Sequence, residues 1–222
     1  MFSLLGIFTL RNFANANSIT TYYNVKKELI SNSNDRELNV ALVGGSFISM
    51  ELVSFFVEKK AKVLIMCRNK PFEKAFGDKA SSKIIQLHES KGVQFLIDKK
   101  IGIKKFIDST NSEAMSEIEL LNGNKYPCDI CILAIGGSPS TSFLKDTELK
   151  MTTGGLIEVN KSMMTNLADV YAVGDITSFP RSCLLGLDTK NLSEFISISH
   201  WGVASSQGIF ISKTLLRNLT YL

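Results

Sequence analysis

The chain lacks the features that mark a membrane protein, a secreted disulfide framework or a disordered segment. It has no run of about 18 apolar residues, because the best candidate, 41–57, contains two glycines, three serines and a glutamate. Only 4 cysteines and 4 prolines occur in 222 residues. The 25 Lys and Arg against 21 Asp and Glu are scattered, and the net charge of +4 indicates no nucleic-acid partner. With 45% apolar residues, the chain is long enough for one large or two small domains.

Two of the cysteines form a C-x-x-C pair, Cys128 and Cys131, within the apolar run YPCDICILAIG. Residues three apart in a strand face opposite sides of the sheet, so we expect neither a shared metal nor a redox pair. No histidine cluster completes a zinc set. The cysteine content favours a reducing, intracellular location, cytoplasmic or mitochondrial.

The hydrophobic pattern predicts a βαβ unit. Residues 39–43 are typical of a buried parallel strand, 48–60 of a helix and 62–66 of the next strand, with a glycine turn before the helix. Further along we expect a helix over 78–90, a strand over 93–97, a β-meander over 101–126 and a buried strand over 129–135. Two more strands, LIEVN and DVYAV, and an amphipathic helix over 201–219 follow.

The turn after the first of these strands takes the place of a G-x-G-x-x-G motif. Gly44 supplies the tight turn, while Ser46 and Ser49 replace the second and third glycines. Such a turn points a helix N-terminus, with its free N–H groups, at a pyrophosphate. The alternative is a βα turn with a structural role alone.

The tip of the second strand reads Cys67-Arg68-Asn69-Lys70 and has no acidic residue. An acid at this position would hydrogen-bond the adenosine ribose 2′-OH of NAD. Arg68 and Lys70 would instead suit a 2′-phosphate. The alternative is a solvated basic loop.

Five segments in this order resemble the pyridine nucleotide-disulfide oxidoreductase flavoproteins, in the apoptosis-inducing-factor-like and ferredoxin-reductase-like branch. They are VALVGGSFISMEL, KVLIM, CDICILAIGGSP, TNLADVYAVGDIT and SHWGVASSQG. The resemblance implies an α/β fold, with a Rossmann-like nicotinamide-nucleotide domain of parallel sheet and β-meander, and the C-terminal part of a second, FAD-type Rossmann-like domain. The expected segments are a residual FAD-type segment over 1–15, an NAD(P)-binding domain over 16–127 and the FAD-type part over 128–222.

The resemblance also implies the residues that hold the cofactors, and it makes no side chain a necessary catalytic acid or base. Gly136 matches the family loop that borders the nicotinamide cofactor, and Gly174 and Asp175 match the second flavin motif, in which the aspartate holds the ribityl chain of FAD. His200 and Trp201 match the pair near the isoalloxazine end of FAD. The remaining expected NAD(P) contacts are Gly44, Gly45, Ser46, Phe47, Ile48, Glu51 and Arg68.

The resemblance further suggests a chain truncated at both ends. The family holds the FAD adenosine and pyrophosphate on an earlier G-x-G-x-x-G, and no such motif precedes Asn39. The acid-free opening, which would also suit a targeting peptide, resembles the segment leading into the nicotinamide domain. We therefore expect strands 130–135 and 170–173 to lose neighbours and expose apolar edges.

Two functions remain open at this point. The first is an oxidoreductase that transfers a hydride from NAD(P)H to FAD and on to an electron acceptor, such as an acceptor protein. The second is a non-catalytic nucleotide-binding or interaction module without a functional flavin site. A short-chain dehydrogenase is disfavoured because no Tyr-x-x-x-Lys follows the βαβ unit.

Overall fold

The computed structural model describes residues 6–33, 36–109, 112–184 and 194–219. The chain divides into two compact units, Met1–Gly136 and Gly137–Leu222. Among the described helices, none has the length and apolar character needed to cross a bilayer. In chain order, the elements are β1 (Ile7–Thr9), α1 (Phe13–Ser33), β2 (Asn39–Val43), α2 (Phe47–Glu58), β3 (Lys62–Cys67), α3 (Glu73–Glu89), β4 (Gln94–Ile97), β5 (Ile103–Ser109), β6 (Ser112–Leu120), β7 (Lys125–Pro127), β8 (Ile130–Leu133), β9 (Ile157–Glu158), β10 (Thr177–Pro180), β11 (Phe195–Ile196) and α4 (Trp201–Leu219).

The first unit is built on a five-stranded parallel sheet in the order β1-β8-β2-β3-β4. Successive residues of a strand face opposite sides, so Val40 and Leu42 pack under the helices while Ala41 packs under the meander. The helical side is formed by apolar residues of α1 and α2, namely Ile19, Tyr23, Ile30, Met50, Val53 and Phe56. The antiparallel meander β5-β6-β7 covers the other side with Met115, Ile118 and Leu120.

The structure confirms the predicted βαβ unit. Strands β2 and β3 are parallel neighbours, with Val40 opposite Val63, and α2 connects them. The meander and the C-terminal helix are also present where the sequence predicts them. Helix α3 begins at Glu73, five residues before the predicted start at Asp78, and is interrupted at Gly77 with φ 82° and ψ 170°.

The expectation that strands 130–135 and 170–173 lose their neighbours is wrong in both places. Strand β8 lies between β1 and β2, and Ile130 and Ile132 are fully buried. Residues 170–173 form no strand, because the Val170 carbonyl accepts from Thr165 N–H and Ala172 N–H donates to Met163. These backbone groups thus pair within a local turn instead of a sheet. The expected domain boundaries at 15 and 127 stay a proposal.

The geometry expected for the C-x-x-C pair, with the two side chains on opposite sides of the sheet, is wrong as well. Cys128 precedes β8 instead of lying in it, and both Cys128 and Cys131 pack in the apolar cluster under the meander. The two side chains therefore face the same side, and burial, together with Cys131, raises the pKa of the Cys128 thiol. All four cysteines are free, and no group of three or more metal-ligating side chains occurs in the described part of the chain.

The second unit has a three-stranded sheet in the order β11-β10-β9 and the helix α4. Strands β9 and β10 are parallel, and β10 and β11 are antiparallel. Its buried apolar residues include Ile157, Val159, Met163 and Phe179. Only two residues of the predicted LIEVN strand, Ile157–Glu158, pair as a strand.

An ion pair secures the end of the parallel sheet where β2 and β8 begin. The two terminal guanidinium nitrogens of Arg36 donate to the two carboxylate oxygens of Asp129, at 2.8 and 2.7 Å. The Asn39 N–H donates to the same carboxylate at 2.8 Å. Burial alone would raise the pKa of Asp129, but these hydrogen bonds outweigh burial and hold the pKa below its ordinary value. The carboxylate is therefore charged in the folded protein at neutral pH.

We predict that Asp129→Asn lowers the free energy of unfolding at pH 7 by about 2 kcal/mol, the scale of a lost hydrogen bond to a charged group. A carboxylate with a lowered folded pKa stabilises the protein above its unfolded pKa, and this contribution disappears as the pH falls through the folded pKa. Urea unfolding at several pH values should show the two proteins converging in acid. Lys150→Met, which removes an exposed ion pair to Glu158, is the control and should change stability by less than about 1 kcal/mol. An equal loss at every pH would contradict the prediction.

Candidate nucleotide-binding site

The turn after β2 depends on Gly44. Its φ is +111°, and its N–H donates to the Met66 carbonyl at 2.8 Å. A Cβ on this residue would lie 2.3 Å from the Ala134 carbonyl oxygen. Only glycine allows this contact between the ends of β2 and β8, and the contact sets the direction in which the chain enters α2.

Ser46 caps α2. Its backbone is extended, and its Oγ accepts a hydrogen bond from Ser49 N–H at 3.2 Å. The Ser49 hydroxyl, which is fully buried, lies 3.3 Å from the same Oγ. The two serines therefore satisfy one helix N–H internally and fill the space that two glycines would leave open. Either hydroxyl can donate across this contact, and when Ser49 donates, the Ser46 proton can go to another partner.

A cleft of about 650 Å³ lies at the carboxyl ends of β2, β3 and β8. In open parallel sheets, ligands bind outside the carboxyl ends of the strands, where the chain connections diverge. The lining residues come from the glycine turn, the loop after β3, the start of α3 and the loop after β8: Val43, Gly44, Gly45, Ser46, Phe47, Met66, Cys67, Arg68, Asn69, Lys70, Phe72, Glu73, Ala75, Ile101, Ala134, Ile135 and Gly136.

Six of the predicted contacts meet in this cleft, and two do not. Gly44, Gly45, Ser46, Phe47, Arg68 and Gly136 line it together. Ile48 and Glu51 instead line a separate groove of about 670 Å³ beside α2. Arg11 also lines that groove, and its guanidinium donates to the Gly136 carbonyl. Sequence reasoning missed Arg11 because its partner lies 125 positions away.

The loop after β3 carries the basic side chains of Arg68 and Lys70, and the buried thiol of Cys67 at its start is uncharged. Arg68 is exposed, and in the described part of the chain no ion pair to it is found. Lys70 is paired with Asp78 at 2.5 Å. Burial raises the pKa of the Cys67 thiol to about 11, so it is neutral at pH 7. A phosphate at this tip would therefore meet a cation and no thiolate.

An aromatic cluster forms one wall of the cleft, and the sequence did not reveal it. The ring centroids of Phe47 and Phe72 lie 4.6 Å apart, and Phe76 lies 6.1 Å from Phe47. Phe72, the N-cap of α3, has the left-handed conformation with φ 63°, which is unfavourable for a bulky side chain. No local pattern predicts such a backbone, so only the tertiary structure shows that Phe72 reaches the cleft.

The predicted flavin contacts lie in the second unit. Gly174 has φ +83°, and its N–H donates to Gln207 of α4 at 2.7 Å. Asp175 is exposed beside it. His200 accepts from Gly202 N–H through Nδ1 at 3.1 Å, and its ring lies 5.7 Å from that of Trp201, which is 76% exposed. The Gly174 loop and α4 are therefore in direct contact, with Trp201 open to a ligand or partner.

The sequence model of the pyridine nucleotide-disulphide oxidoreductase family matches residues 7–208. The chain belongs to this family. Human apoptosis-inducing factor 3 is 26% identical to it over 212 residues, which cover 95% of this chain and 31% of that protein. Monodehydroascorbate reductase 1 of Oryza sativa subsp. japonica is 31% identical over 158 residues, covering 69% of this chain and 31% of the enzyme. The chain thus spans about a third of the length of these curated relatives.

Solved structures share the fold. An NAD-dependent persulfide reductase from A. fulgidus matches with a TM-score of 0.70 at 19% identity, over 96% of this chain and 35% of that one. A covalent putidaredoxin reductase–putidaredoxin complex matches at 0.68 and 19% identity, over 95% and 45%. An engineered water-forming NADPH oxidase bound to NADPH matches at 0.66 and 21% identity, over 93% and 40%. The fold is therefore the Rossmann-type α/β fold of these flavoproteins.

We predict that Gly44→Ala destabilises the first unit, because the new Cβ would overlap the Ala134 carbonyl in a backbone conformation that alanine disfavours. The free energy of unfolding should fall by about 3 kcal/mol or more, the upper range for overpacking. Gly123→Ala is the matched control, since Gly123 also has positive φ but no atom within 4 Å of the added Cβ. It should lose only about 1 kcal/mol. Equal losses in urea unfolding would contradict the role of the Ala134 contact.

Proposed function

We propose that this chain is the nicotinamide-nucleotide-handling part of an FAD-dependent oxidoreductase. In this proposal a hydride passes from NAD(P)H to FAD, and electrons pass on to an acceptor. The observation that carries the proposal is the cleft at the carboxyl ends of β2, β3 and β8, closed by the Gly44 turn, in a chain of this family.

The cleft supplies the contacts that a dinucleotide requires. Gly44 and Gly45 have no side chain, so a pyrophosphate can approach the turn closely. The N-terminus of α2 favours a negative charge, and the Ser46 hydroxyl, which accepts from Ser49, can donate its proton to a phosphate oxygen. The rings of Phe47 and Phe72 offer an apolar wall for a planar base.

We propose NADPH as the preferred nucleotide. Arg68 is exposed at the tip of β3, the residues Cys67-Arg68-Asn69-Lys70 include no acid, and Cys67 is a neutral thiol. A guanidinium matches the geometry of a phosphate and binds it with charge-assisted hydrogen bonds. The engineered NADPH oxidase has an aspartate replaced by alanine and the adjacent residue replaced by arginine. The pair Cys67 and Arg68 has the same character: no acid, then arginine.

The flavin assignment rests on the family. When bound, FAD accepts the hydride and releases electrons singly or in pairs. We propose that Asp175 holds its ribityl chain and that His200 and Trp201 lie near the isoalloxazine ring. In this division of labour, residues 16–127 bind the nicotinamide nucleotide, and segment 128–222 contributes Gly136 to it and the remaining residues to FAD.

We further propose that the electron acceptor is a protein and that the chain works inside the cell, in the cytoplasm or a mitochondrion. One structural neighbour is a reductase covalently joined to putidaredoxin, which supports a protein acceptor. The four free cysteines support a reducing compartment.

A non-catalytic nucleotide-binding module is the second candidate. The observation that favours it is the hydrogen bond from Gly174 N–H to Gln207, which occupies a backbone donor of the flavin motif. The cleft of the first unit does not depend on this donor. Nucleotide binding without bound flavin would therefore support the module, and flavin-dependent turnover would support the oxidoreductase.

We predict that Arg68→Glu weakens NADP⁺ binding at least about tenfold, because one charge-assisted hydrogen bond of about 1.5 kcal/mol or more is lost. NAD⁺ binding should change much less, since NAD⁺ has no 2′-phosphate. Isothermal titration calorimetry measures both. The control is Lys62→Glu, which makes the same charge change at the opposite end of β3. Equal weakening of NADP⁺ by both variants, or equal affinity of the unmodified protein for both nucleotides, would contradict the preference.

We also predict that the polypeptide of residues 1–222 purifies with much less than one FAD per chain while still binding NADP⁺. The matched flavin residues would contact only the ribityl and isoalloxazine parts of FAD, without the several charge-assisted hydrogen bonds that hold a pyrophosphate. The measurement is the absorbance of the flavin bands after purification without added flavin. Stoichiometric flavin with steady NADPH oxidation would contradict the prediction and exclude the non-catalytic module.

A further inference from the structure

The two cations of the loop after β3 are in different states. Arg68 is exposed at the cleft. Lys70 lines the same cleft, but its Nζ lies 2.5 Å from Asp78 Oδ1 and 2.9 Å from Ser82 Oγ. Asp78 and Ser82 are four residues apart on α3 and so present their polar groups on one side of the helix. The Lys70 ammonium is thus held on α3.

The position of Asp78 follows from the path of the chain. Gly77 breaks α3 with φ 82° and ψ 170°, and Asp78 is the first residue after the break. A carboxylate at the start of a helical segment is favoured by the helix dipole. The buried Ser81 hydroxyl donates to the Pro71 carbonyl at 2.5 Å. The loop is therefore attached to α3 at two successive residues, Lys70 and Pro71.

The attachment has an electrostatic consequence for a ligand at the loop. The hydrogen bond to Asp78 raises the pKa of Lys70, with a smaller contribution from Glu73, so the ammonium stays charged while its charge is balanced by the carboxylate. Asp78 itself is 66% exposed. A phosphate beside Arg68 would find the Lys70 ammonium already paired. The partner of that ammonium, the Asp78 carboxylate, would repel the phosphate because both are negatively charged.

We propose that Asp78 is the residue that limits the preference for NADPH, because it holds Lys70 on α3 and away from the 2′-phosphate. The proposal rests on the proposed nucleotide function of the cleft. Arg68 then supplies the basal discrimination, and Lys70 is a reserve cation that contributes only when Asp78 releases it. An exposed ion pair is weak, and once Asp78 is neutral the Ser82 hydroxyl holds the ammonium with a neutral hydrogen bond, which a phosphate outcompetes by its charge.

The test compares Asp78→Asn, Lys70→Met and the double variant by titration calorimetry with NADP⁺, NAD⁺, 2′,5′-ADP and ADP. Asp78→Asn should raise affinity for the two 2′-phosphate ligands by about fivefold, the upper scale of an exposed ion pair, and leave NAD⁺ and ADP unchanged. Lys70→Met alone should have little effect on any ligand. In the double variant the gain should be lost, because the released cation is then absent.

Glu89→Gln is the matched control, since it removes a carboxylate from the other end of the same helix. The midpoint of urea unfolding verifies that each variant folds. The inference is overturned if Asp78→Asn leaves the ratio of NADP⁺ to NAD⁺ affinity unchanged or lowers it, or if the gain persists when Lys70→Met is added. In either case the proposed function stands as long as NADP⁺ binding depends on Arg68. Failure of the unmodified protein to bind either nucleotide overturns the proposed function and this inference with it.

Discussion

Gly44 leaves β2 with a φ of +111°, and a Cβ at this position would lie 2.3 Å from the carbonyl oxygen of Ala134, where β8 ends. This contact brings together two strands that are about 90 residues apart in sequence. It also determines where α2 begins and hence where the helix N–H groups point. The cleft, its serine cap and its aromatic wall all depend on this one close approach.

The opposite end of the same strand pair is secured by a different kind of interaction. There Arg36 and the Asn39 N–H bind the Asp129 carboxylate. Strand β8 is thus held against β2 by charge-assisted hydrogen bonds at one end and by close backbone contact at the other. Arg36 and Asp129 thus pair with each other at the amino end of the strands, and the cleft lies at the carboxyl end.

Serines stand at two glycine positions of the turn, and the strand tip carries basic residues and no acid, which is the basis of the proposed preference for NADPH. Ser46 caps α2 and Ser49 is buried beneath it, so the turn keeps its shape with less open space. In the proposed recognition of a 2′-phosphate, what matters at the strand tip is which cations are unpaired and not how many are present. Arg68 is exposed, whereas Lys70 is bound to Asp78. In our proposal Arg68 therefore contacts the 2′-phosphate, and Lys70 contributes only when Asp78 releases it.

The sequence by itself determined the βαβ unit, the meander, the C-terminal helix and the glycine turn, because each is encoded by a local pattern of apolar, polar and glycine residues. The family motifs in register also determined the fold. Only the tertiary structure decided that β8 lies inside the sheet, that 170–173 pairs in a turn and that Cys128 and Cys131 share one side. It alone decided that Phe72 reaches the cleft and that Asp78 holds Lys70. The physical reason is that strand neighbours, left-handed backbone and ion-pair partners are set by contacts between segments, whereas periodicity reports only which side of its own element a residue occupies.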